Sequence, residues 1–349
     1  MLSRNELLRE HCIDLHEKDK LVKLMDKIDP ERAEEIRDCG LRITVYEDQL
    51  TGRSFKEYSG FTCGDRFCPI CQRRRSRKLC RRAAEKLDNY IKDYPKAYVV
   101  QWTFSPVENC DILELRTVFH HFSVFLHAML SEPRSPFPVP DGYIRSYEFT
   151  ISEDDNKVHP HIHMLCLYPD YVYFDKDAIN KYIIKVMKRK SCGNRVSAGI
   201  CRFDVKRNCK TGKDDSFDIT TESVKYVTKF SEIKDEYTLS ALIGQIKGCQ
   251  TIRFCGCMGW SKEDEELYQQ RKMDEMEESL QNGHFVLSSY IFIPCFAPGS
   301  FMGYLPVTRK LYNDAISKQY IDTGQIKNNS PEKADNIDNV YIQSTIYDF

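Results

Sequence analysis

The sequence predicts an α+β protein in which an antiparallel sheet carries helices on its faces. Two apolar runs with alternating side chains flank the turn-forming stretch Glu153–Asn156, and this pattern is typical of a β-hairpin. Apolar residues recur at helical spacing in 111–130 and in 175–190, on either side of the hairpin. Strands and helices that are mixed in this way favour the α+β class.

The remaining elements follow from the same two periodicities. Leu7, Leu15 and Leu24 belong to a helical apolar pattern in the first 38 residues, so one or two amphipathic helices are expected there. Pro106 ends a β-branched and aromatic run that we interpret as a buried strand. Further helices are expected at 72–92, at 221–233, after Asp235 and in the acidic segment from Lys262, and further strands within 39–71, at 199–207 and at 285–301.

Cysteine usage and the N-terminal sequence indicate a reducing compartment. The chain has fifteen cysteines, and its first twenty residues lack the apolar stretch of a signal peptide, so a cytoplasmic location is expected. Clustered cysteines in such a compartment indicate a metal site before disulfides. The longest apolar run, 285–301, is short and contains two prolines, so no membrane span is expected.

Charge is distributed unevenly, although the formal net charge is only −1. The segment 72–92 has nine Lys or Arg residues against two acidic ones, and 262–282 has three basic residues against eight acidic ones. The basic segment is suited to a polyanion, and its residues nearest the cysteines would contact DNA phosphates. These candidate DNA-binding residues are Arg73, Arg74, Arg75, Arg77 and Lys78. The alternative is that the segment is merely a solvated helix face.

Three cysteines in "CGDRFCPIC" have the spacing of a structural zinc site. Cys63, Cys68 and Cys71 can supply three thiolates, and a fourth would close a tetrahedral shell. Cys39 is the preferred fourth ligand because Gly40 follows it, as at a knuckle turn. The other candidates for that position are Cys80, Cys12 and His11.

Three histidines alternate in "KVHPHIHMLCL", and alternation along a strand puts them on one face. A hairpin with a four-residue loop places Glu148 opposite His161, and one with a two-residue loop places it opposite His163. Two imidazoles and one carboxylate with open positions suit Mg²⁺ or Mn²⁺ bound by a phosphate-bearing substrate. The alternative is that Glu148 is exposed or paired with Arg145.

The segment "TTESVKYVTKF" places a tyrosine among groups that can activate it. On a helix, Glu222, Tyr226 and Lys229 lie on one face. The lysine would favour the phenolate as a nucleophile, and the glutamate could act as a general base toward water. Taken alone, this spacing is also that of an ordinary amphipathic helix.

The order of these motifs resembles the rolling-circle replication initiator (Rep) proteins of small plasmids, in the HUH endonuclease superfamily. The resemblance covers about residues 39–260. It rests on "CGDRFCPICQRRRSRK", "YVVQWTFSP", "GYIRSYEFTISEDDNKVHPHIHML", "ESVKYVTK" and "TIRFCGCMGW". The second of these departs from the usual Leu-Thr run of the family by having Gln101 and Trp102. The family fold is a five-stranded antiparallel sheet with helices, in agreement with the pattern of elements.

The resemblance implies a role for each matching residue. Tyr226 would attack a phosphodiester of single-stranded origin DNA, leaving a free 3′-OH and a 5′-phosphotyrosyl link. Glu222 would activate water to end the reaction, and Lys229 would assist Tyr226. His161 and His163 would hold the catalytic Mg²⁺ or Mn²⁺, with Glu148 as the third ligand. A host helicase and polymerase would be further partners.

The chain is expected to divide into three regions. Residues 1–92 would form an N-terminal helical and zinc-binding region with the basic helix, and 93–260 the HUH endonuclease domain. Residues 261–349 would contain an acidic helix, an apolar segment and a loose tail. Two alternatives stay open: an HUH-type transposase or relaxase, and a non-catalytic zinc-dependent DNA-binding protein.

Overall fold

A computed structural model of the protein describes residues 3–48, 54–105, 109–152, 157–189, 200–205, 220, 233–281, 285–297 and 300–308. Its α-helices are α1 (Arg4–Met25), α2 (Pro30–Arg37), α3 (Pro69–Asp93), α4 (Leu115–Ser131), α5 (Lys176–Arg189), α6 (Glu236–Ile246) and α7 (Lys262–Gln281). A 3-10 helix, Ile112–Glu114, precedes α4. Within the described ranges, no helix combines the length and the apolar composition that crossing a membrane requires.

Ten β-strands accompany these helices in the described parts of the chain. They are β1 (Arg42–Asp48), β2 (Ser54–Tyr58), β3 (Tyr98–Ser105), β4 (Cys110–Asp111), β5 (Gly142–Ile151), β6 (Lys157–Tyr168), β7 (Ile200–Val205), β8 (Ile252–Gly256), β9 (Phe285–Ala297) and β10 (Ser300–Thr308). The α+β class that the sequence predicts is therefore confirmed. The segment expected to be a helix at 221–233 lies outside the described residues, apart from Ile233.

The described residues form two compact units. One contains the chain up to Gln72 together with the part that follows Glu265, and the other contains Arg73–Glu265. Each unit is built on its own antiparallel sheet. The predicted hairpin lies in the second unit, and the sheet of the first unit is an addition to the predicted fold.

The sheet of the second unit has the strand order β7-β3-β6-β5-β8, so the histidine strand β6 is central. All neighbouring strands in it are antiparallel. The short strand β4 pairs with the first residues of β6. These five strands agree with the five-stranded antiparallel sheet that the resemblance implies, and the two-residue β4 is a sixth strand of the sheet.

Helices cover both faces of this sheet. On one face, Phe125 of α4 packs against Phe104 with ring centroids 5.5 Å apart. On the other face, α3 contributes Cys80, Ala83, Leu87 and Tyr90 to a buried cluster with residues of the sheet, namely Val99, Ile144, Leu165 and Leu167. Removing each of the large apolar side chains from water stabilises the fold by roughly 1.5–3 kcal/mol. The basic helix is therefore fixed to the sheet through its apolar side.

Pro160 lies in the middle of β6, although proline is rare in a central strand because it cannot donate a backbone hydrogen bond. The pairing of β3 with β6 ends at Ile162, and the pairing of β4 with β6 begins at Val158. Pro160 falls between these two pairings, where the one partner strand among the described residues is β5. This break in the pairing explains why proline is tolerated at that position.

The sheet of the first unit has the order β10-β9-β1-β2. A capping box starts α1: Ser3 N donates to Glu6 Oε2, and Glu6 N donates to Ser3 Oγ. The helix buries Leu15 and Met25 completely. The predicted apolar strand at 285–301 is present as β9, and it pairs with β1 along its first half.

Candidate metal centres

Three side chains that we expected to bind a divalent cation meet on the β5–β6 pair. Glu148 lies opposite His161, which is the register of a four-residue loop, and Ser146 lies opposite His163. The Glu148 Oε2 atom is 3.4 Å from His161 Nε2 and 3.6 Å from His163 Nε2. One carboxylate oxygen and two imidazole nitrogens thus lie within 4.8 Å of one another.

Contacts at the Nδ1 atoms orient both imidazoles so that each Nε2 faces the carboxylate. His161 Nδ1 lies 3.3 Å from the carbonyl oxygen of His159. A carbonyl oxygen only accepts, so the Nδ1–H is the donor, and the lone pair of Nε2 is left for a metal. His163 Nδ1 lies 3.1 Å from Thr103 Oγ1. A hydroxyl can accept from Nδ1–H, so this contact orients the ring and is compatible with the tautomer that leaves Nε2 for a metal.

Strand β3 supplies the neighbours of His163. Thr103 and Gln101 lie on the same face as this imidazole, and Gln101 Nε2 is 3.5 Å from its Nδ1 atom. Trp102 points to the opposite face, where it is fully buried with its ring centroid 5.1 Å from that of Phe174. The unusual Gln-Trp pair therefore places an amide beside the site and an indole in the core. The sequence pattern alone assigns no role to Thr103 or Gln101, because neither is near His163 along the chain.

The cluster is partly open to solvent. The side chains of Glu148, His161 and His163 are 11%, 16% and 18% exposed, respectively. Arg145, the alternative partner of Glu148, instead donates to the hydroxyl of Tyr147 on the opposite face of β5. Two nitrogens and one carboxylate oxygen with an open side leave room for water and phosphate oxygens. This donor set fits a catalytic Mn²⁺ or Mg²⁺ better than a closed structural site.

His159, the first histidine of the motif, lies outside this cluster. Its Nδ1 atom is 3.1 Å from Asn109 Oδ1, and its ring centroid is 6.2 Å from that of His161. Burial lowers the pKa of His159, and the nearby His161 lowers it further. This histidine is therefore not part of the candidate metal shell.

The four cysteines expected to bind zinc also lie together, in the first unit. Their Sγ atoms are all within 4.8 Å of one another; the residues are Cys39, Cys63, Cys68 and Cys71. Backbone N–H groups point at the sulfurs, with Gly64 N 3.1 Å from Cys71 Sγ and Cys63 N 3.4 Å from Cys39 Sγ. Hydrogen bonds from the other three cysteines lower the pKa of Cys71, which favours the thiolate that a metal needs. Four sulfurs in this arrangement fit a closed tetrahedral Zn²⁺ site.

A knuckle turn at Gly40 brings Cys39 to the cluster. Gly40 has φ +74°, and a Cβ atom there would lie 2.7 Å from Ile70 Cγ2, so only glycine fits without strain. The rival ligands have other contacts: Cys12 Sγ donates to Tyr304 O, and His11 Nε2 lies 2.8 Å from Gly40 O. Cys80, the third rival, belongs to the apolar contact of α3 in the second unit.

The candidate DNA-binding residues lie on α3, but part of this helix is already paired within the second unit. Lys78 Nζ is 2.9 Å from Glu265 Oε1, and Arg82 also pairs with Glu265. Lys86 Nζ is 2.9 Å from Asp264 Oδ1. The ring centroid of Trp260 lies 5.3 Å from the Arg82 Cζ atom. The start of the acidic helix α7 therefore neutralises one side of the basic helix, a pairing that sequence reasoning missed.

Arg74 and Arg75 of the basic helix are exposed, whereas Arg73 and Arg77 are half-buried.

Three of the expected site residues, Tyr226, Glu222 and Lys229, lie outside the described residues. Their placement relative to the Glu148 cluster therefore stays a prediction.

The fold and the two clusters together characterise this protein. A central antiparallel sheet carries a His-x-His strand that faces a carboxylate, and a separate cluster contains four cysteines. A family model described as Rep_1, replication protein, matches residues 54–291. Since this match covers more than half of the chain, the protein belongs to the Rep_1 family of replication proteins. The resemblance to Rep proteins that the motifs indicate is thereby confirmed.

Individual relatives agree with this assignment. "Protein rep" of Lactiplantibacillus plantarum is 25% identical over 265 residues, covering 73% of this chain and 78% of the relative. "Protein rep" of Streptococcus pneumoniae is 28% identical over 136 residues, or 38% of this chain and 41% of the relative. "Protein rep" of Bacillus amyloliquefaciens is 28% identical over 43% of each chain. The chain thus spans less than half the length of two of these relatives, and no solved structure matches it.

Proposed function

We propose that the protein initiates rolling-circle replication of a plasmid by nicking single-stranded origin DNA as an HUH endonuclease with one catalytic tyrosine. The observation that supports this most directly is the cluster of Glu148, His161 and His163 on the central strands of the sheet. Membership of the replication protein family supports the biological role. The cysteine content agrees with action in the cytoplasm, where thiols stay reduced.

In this mechanism, the phenolate oxygen of Tyr226 attacks the phosphorus of the scissile phosphodiester. The bond from phosphorus to the 3′-oxygen breaks, and the 5′-phosphate becomes bound to the tyrosine. The leaving 3′-oxygen would take a proton from water and become a free 3′-OH. Lys229 would stabilise the phenolate before the attack. A bound Mg²⁺ or Mn²⁺ would neutralise charge on the non-bridging phosphate oxygens.

The reaction would end by hydrolysis of the phosphotyrosyl link. Glu222 would take a proton from water, and the hydroxide oxygen would attack phosphorus and release Tyr226. The free 3′-OH left by the first step would prime a host polymerase, with a host helicase separating the strands. A relaxase would be expected to have a histidine as third ligand, whereas the third member of this cluster is the carboxylate of Glu148.

The four-cysteine cluster would hold a structural Zn²⁺ that is separate from this chemistry. Closed sites with four protein ligands stabilise folds and leave no position for substrate. The cluster joins the turn after α2 to the first turn of α3. Arg73, Arg74, Arg75 and Arg77, which follow Cys71 on α3, would then be held in place to contact DNA phosphates.

A test of the proposed function is the formation of a covalent adduct. The full chain is incubated with Mn²⁺ and single-stranded oligonucleotides that tile the replicon encoding it, and adducts are resolved on a denaturing gel. We expect an adduct on one origin segment, which is lost in Tyr226→Phe and kept in Tyr237→Phe, a matched change of an exposed tyrosine on α6. An adduct in Tyr226→Phe would refute the nucleophile. Origin binding without any adduct would favour a non-catalytic DNA-binding protein.

A further inference from the structure

Two arginines face each other across the edge of the sheet in the second unit. Arg145 of β5 and Arg253 of the edge strand β8 are direct partners in the antiparallel register. Side chains that are opposite in this way have Cβ atoms about 4.5–5.5 Å apart. Because side chains alternate along a strand, Arg145 lies on the face opposite to that of Glu148. The arginine pair is therefore distinct from the metal cluster.

The guanidinium of Arg145 is held in a fixed position. Its Nη1 atom donates to the Tyr147 hydroxyl at 2.6 Å, and its Cζ atom lies 4.8 Å from the centroid of the Tyr147 ring. The Tyr147 hydroxyl in turn lies 2.6 Å from Ser123 Oγ on α4. Stacking on an aromatic face orients a guanidinium while leaving its other N–H groups available.

Neither guanidinium has an ion-pair partner among the residues that the structure describes. The side-chain contacts of Arg145 are with Tyr147, and Arg253 is exposed on the edge strand. The next opposed pair on the same face of the two strands, Tyr143 and Cys255, carries no carboxylate. Like charges that are directly opposite destabilise a sheet, so an anion placed between them would be bound favourably.

We propose that Arg145 and Arg253 together bind a phosphate group of the origin DNA at the β8 edge of the sheet. Paired N–H groups of arginine match the geometry of phosphate oxygens, and a second arginine doubles the charge at the site. The bound phosphate would differ from the one that is cleaved, since Glu148 lies on the other face and about 10 Å further along β5. DNA would thus pass around the edge of the sheet. This inference rests on the proposed function for the identity of the polyanion.

The salt dependence of DNA binding tests the proposal. Binding of the full chain to origin oligonucleotides is measured by fluorescence anisotropy over a range of salt concentrations, for the unaltered protein and for Arg253→Gln. The control is Arg134→Gln, which removes the same charge from an exposed position in the connection after α4. Each lost phosphate contact lowers the slope of log K against log salt by roughly 0.7 for single strands and 0.9 for duplex. We expect that decrease in Arg253→Gln and no decrease in Arg134→Gln.

A second variant and a chemical probe identify the contact. Arg145→Lys keeps the charge but loses the paired N–H groups of the guanidinium. Its affinity for DNA should therefore fall, while its slope of log K against log salt stays near that of the unaltered protein. Replacing single phosphates of the oligonucleotide by neutral methylphosphonates should reveal one position, away from the cleaved bond, whose effect is absent in Arg253→Gln. Equal slopes in Arg253→Gln and Arg134→Gln would overturn the proposal.

A competition experiment with inorganic phosphate tests whether the arginine pair binds a phosphate of DNA or free phosphate. If inorganic phosphate binds at the arginine pair while the slope for DNA does not change in Arg253→Gln, the DNA assignment is overturned. The outcome is also separable from that of the proposed function. If no phosphotyrosyl adduct forms on any DNA, the nicking proposal fails, whereas a slope difference between the two variants still supports the phosphate contact.

Discussion

Glu148 lies directly opposite His161 in the β5–β6 pair, with its Oε2 atom 3.4 Å from His161 Nε2. At this distance a carboxylate and an imidazole can share one cation. The same oxygen is 3.6 Å from His163 Nε2, so the three groups converge on one point of the sheet.

The first prediction concerns the carboxylate of this cluster. Glu148→Gln keeps the size of the side chain but removes its charge, so Mn²⁺ affinity should fall. The decrease should exceed the roughly 10- to 100-fold loss that follows when a group that only orients a metal ligand is removed. The measurement is a Mn²⁺ titration followed by electron paramagnetic resonance. Asp177→Asn, a change of an exposed carboxylate on α5, should leave the affinity unchanged. Similar affinities in the two variants would remove Glu148 from the ligand set.

The second prediction concerns the contact behind His163. Thr103→Val removes the hydroxyl that lies 3.1 Å from His163 Nδ1 without changing the volume much. The imidazole then loses the neighbour that orients it, and Mn²⁺ affinity should fall about 10- to 100-fold. Thr150→Val is the matched control, since Thr150 is on β5 and lies opposite His159. If both valine variants bind Mn²⁺ as the unaltered chain does, Thr103 has no positioning role.

The third prediction concerns the four-cysteine cluster. Cys39→Ser replaces a thiolate by a poorer zinc ligand, so bound zinc should fall from about one equivalent per chain, and thermal stability should fall with it. Zinc is measured by elemental analysis and unfolding by circular dichroism. Cys12→Ser changes a buried cysteine of the same unit whose thiol contacts Tyr304 O, and it should keep the zinc. Full zinc occupancy in Cys39→Ser would assign the fourth position to another group.

The fourth prediction concerns the acidic start of α7. Glu265 pairs with Lys78 and Arg82 of the basic helix, so Glu265→Gln should release positive charge toward DNA. We expect tighter DNA binding and a salt slope steeper by roughly 0.7–0.9 for each released cation that reaches a phosphate. Glu263→Gln removes an exposed carboxylate from the same turn and serves as the control. Unchanged binding in Glu265→Gln would mean that this side of α3 does not face DNA.

Local patterns were sufficient to predict much of the second unit. The hairpin of β5 and β6 joins segments that are close in sequence, so the turn length and the alternation of side chains fix both register and face. For this reason the sequence alone predicts that Glu148 meets the histidines. The cysteine spacing and Gly40 likewise predicted the grouping of the four sulfurs, because a knuckle turn is a local conformation.

Pairings between distant segments could not be predicted in this way. Strand β9 pairs with β1, with Tyr290 opposite Ile43. Nothing in the sequence of the apolar segment 285–301 indicates which strand it pairs with. The contact of Thr103 with His163 depends on the register of β3 against β6, and that register is set by packing rather than by a turn. Arg145 and Arg253 are opposed for the same reason.

The sequence by itself determined the chemistry of this protein: which side chains can bind a cation, which can bind zinc, and which family the motif order resembles. Tertiary structure decided which of these groups share a surface. It placed α3 on the same face of the sheet as the Glu148 cluster and paired part of its charge with Glu265. The physical reason is that alternation and helical period act over a few residues, whereas strand order and helix packing follow from burying apolar surface across the whole unit.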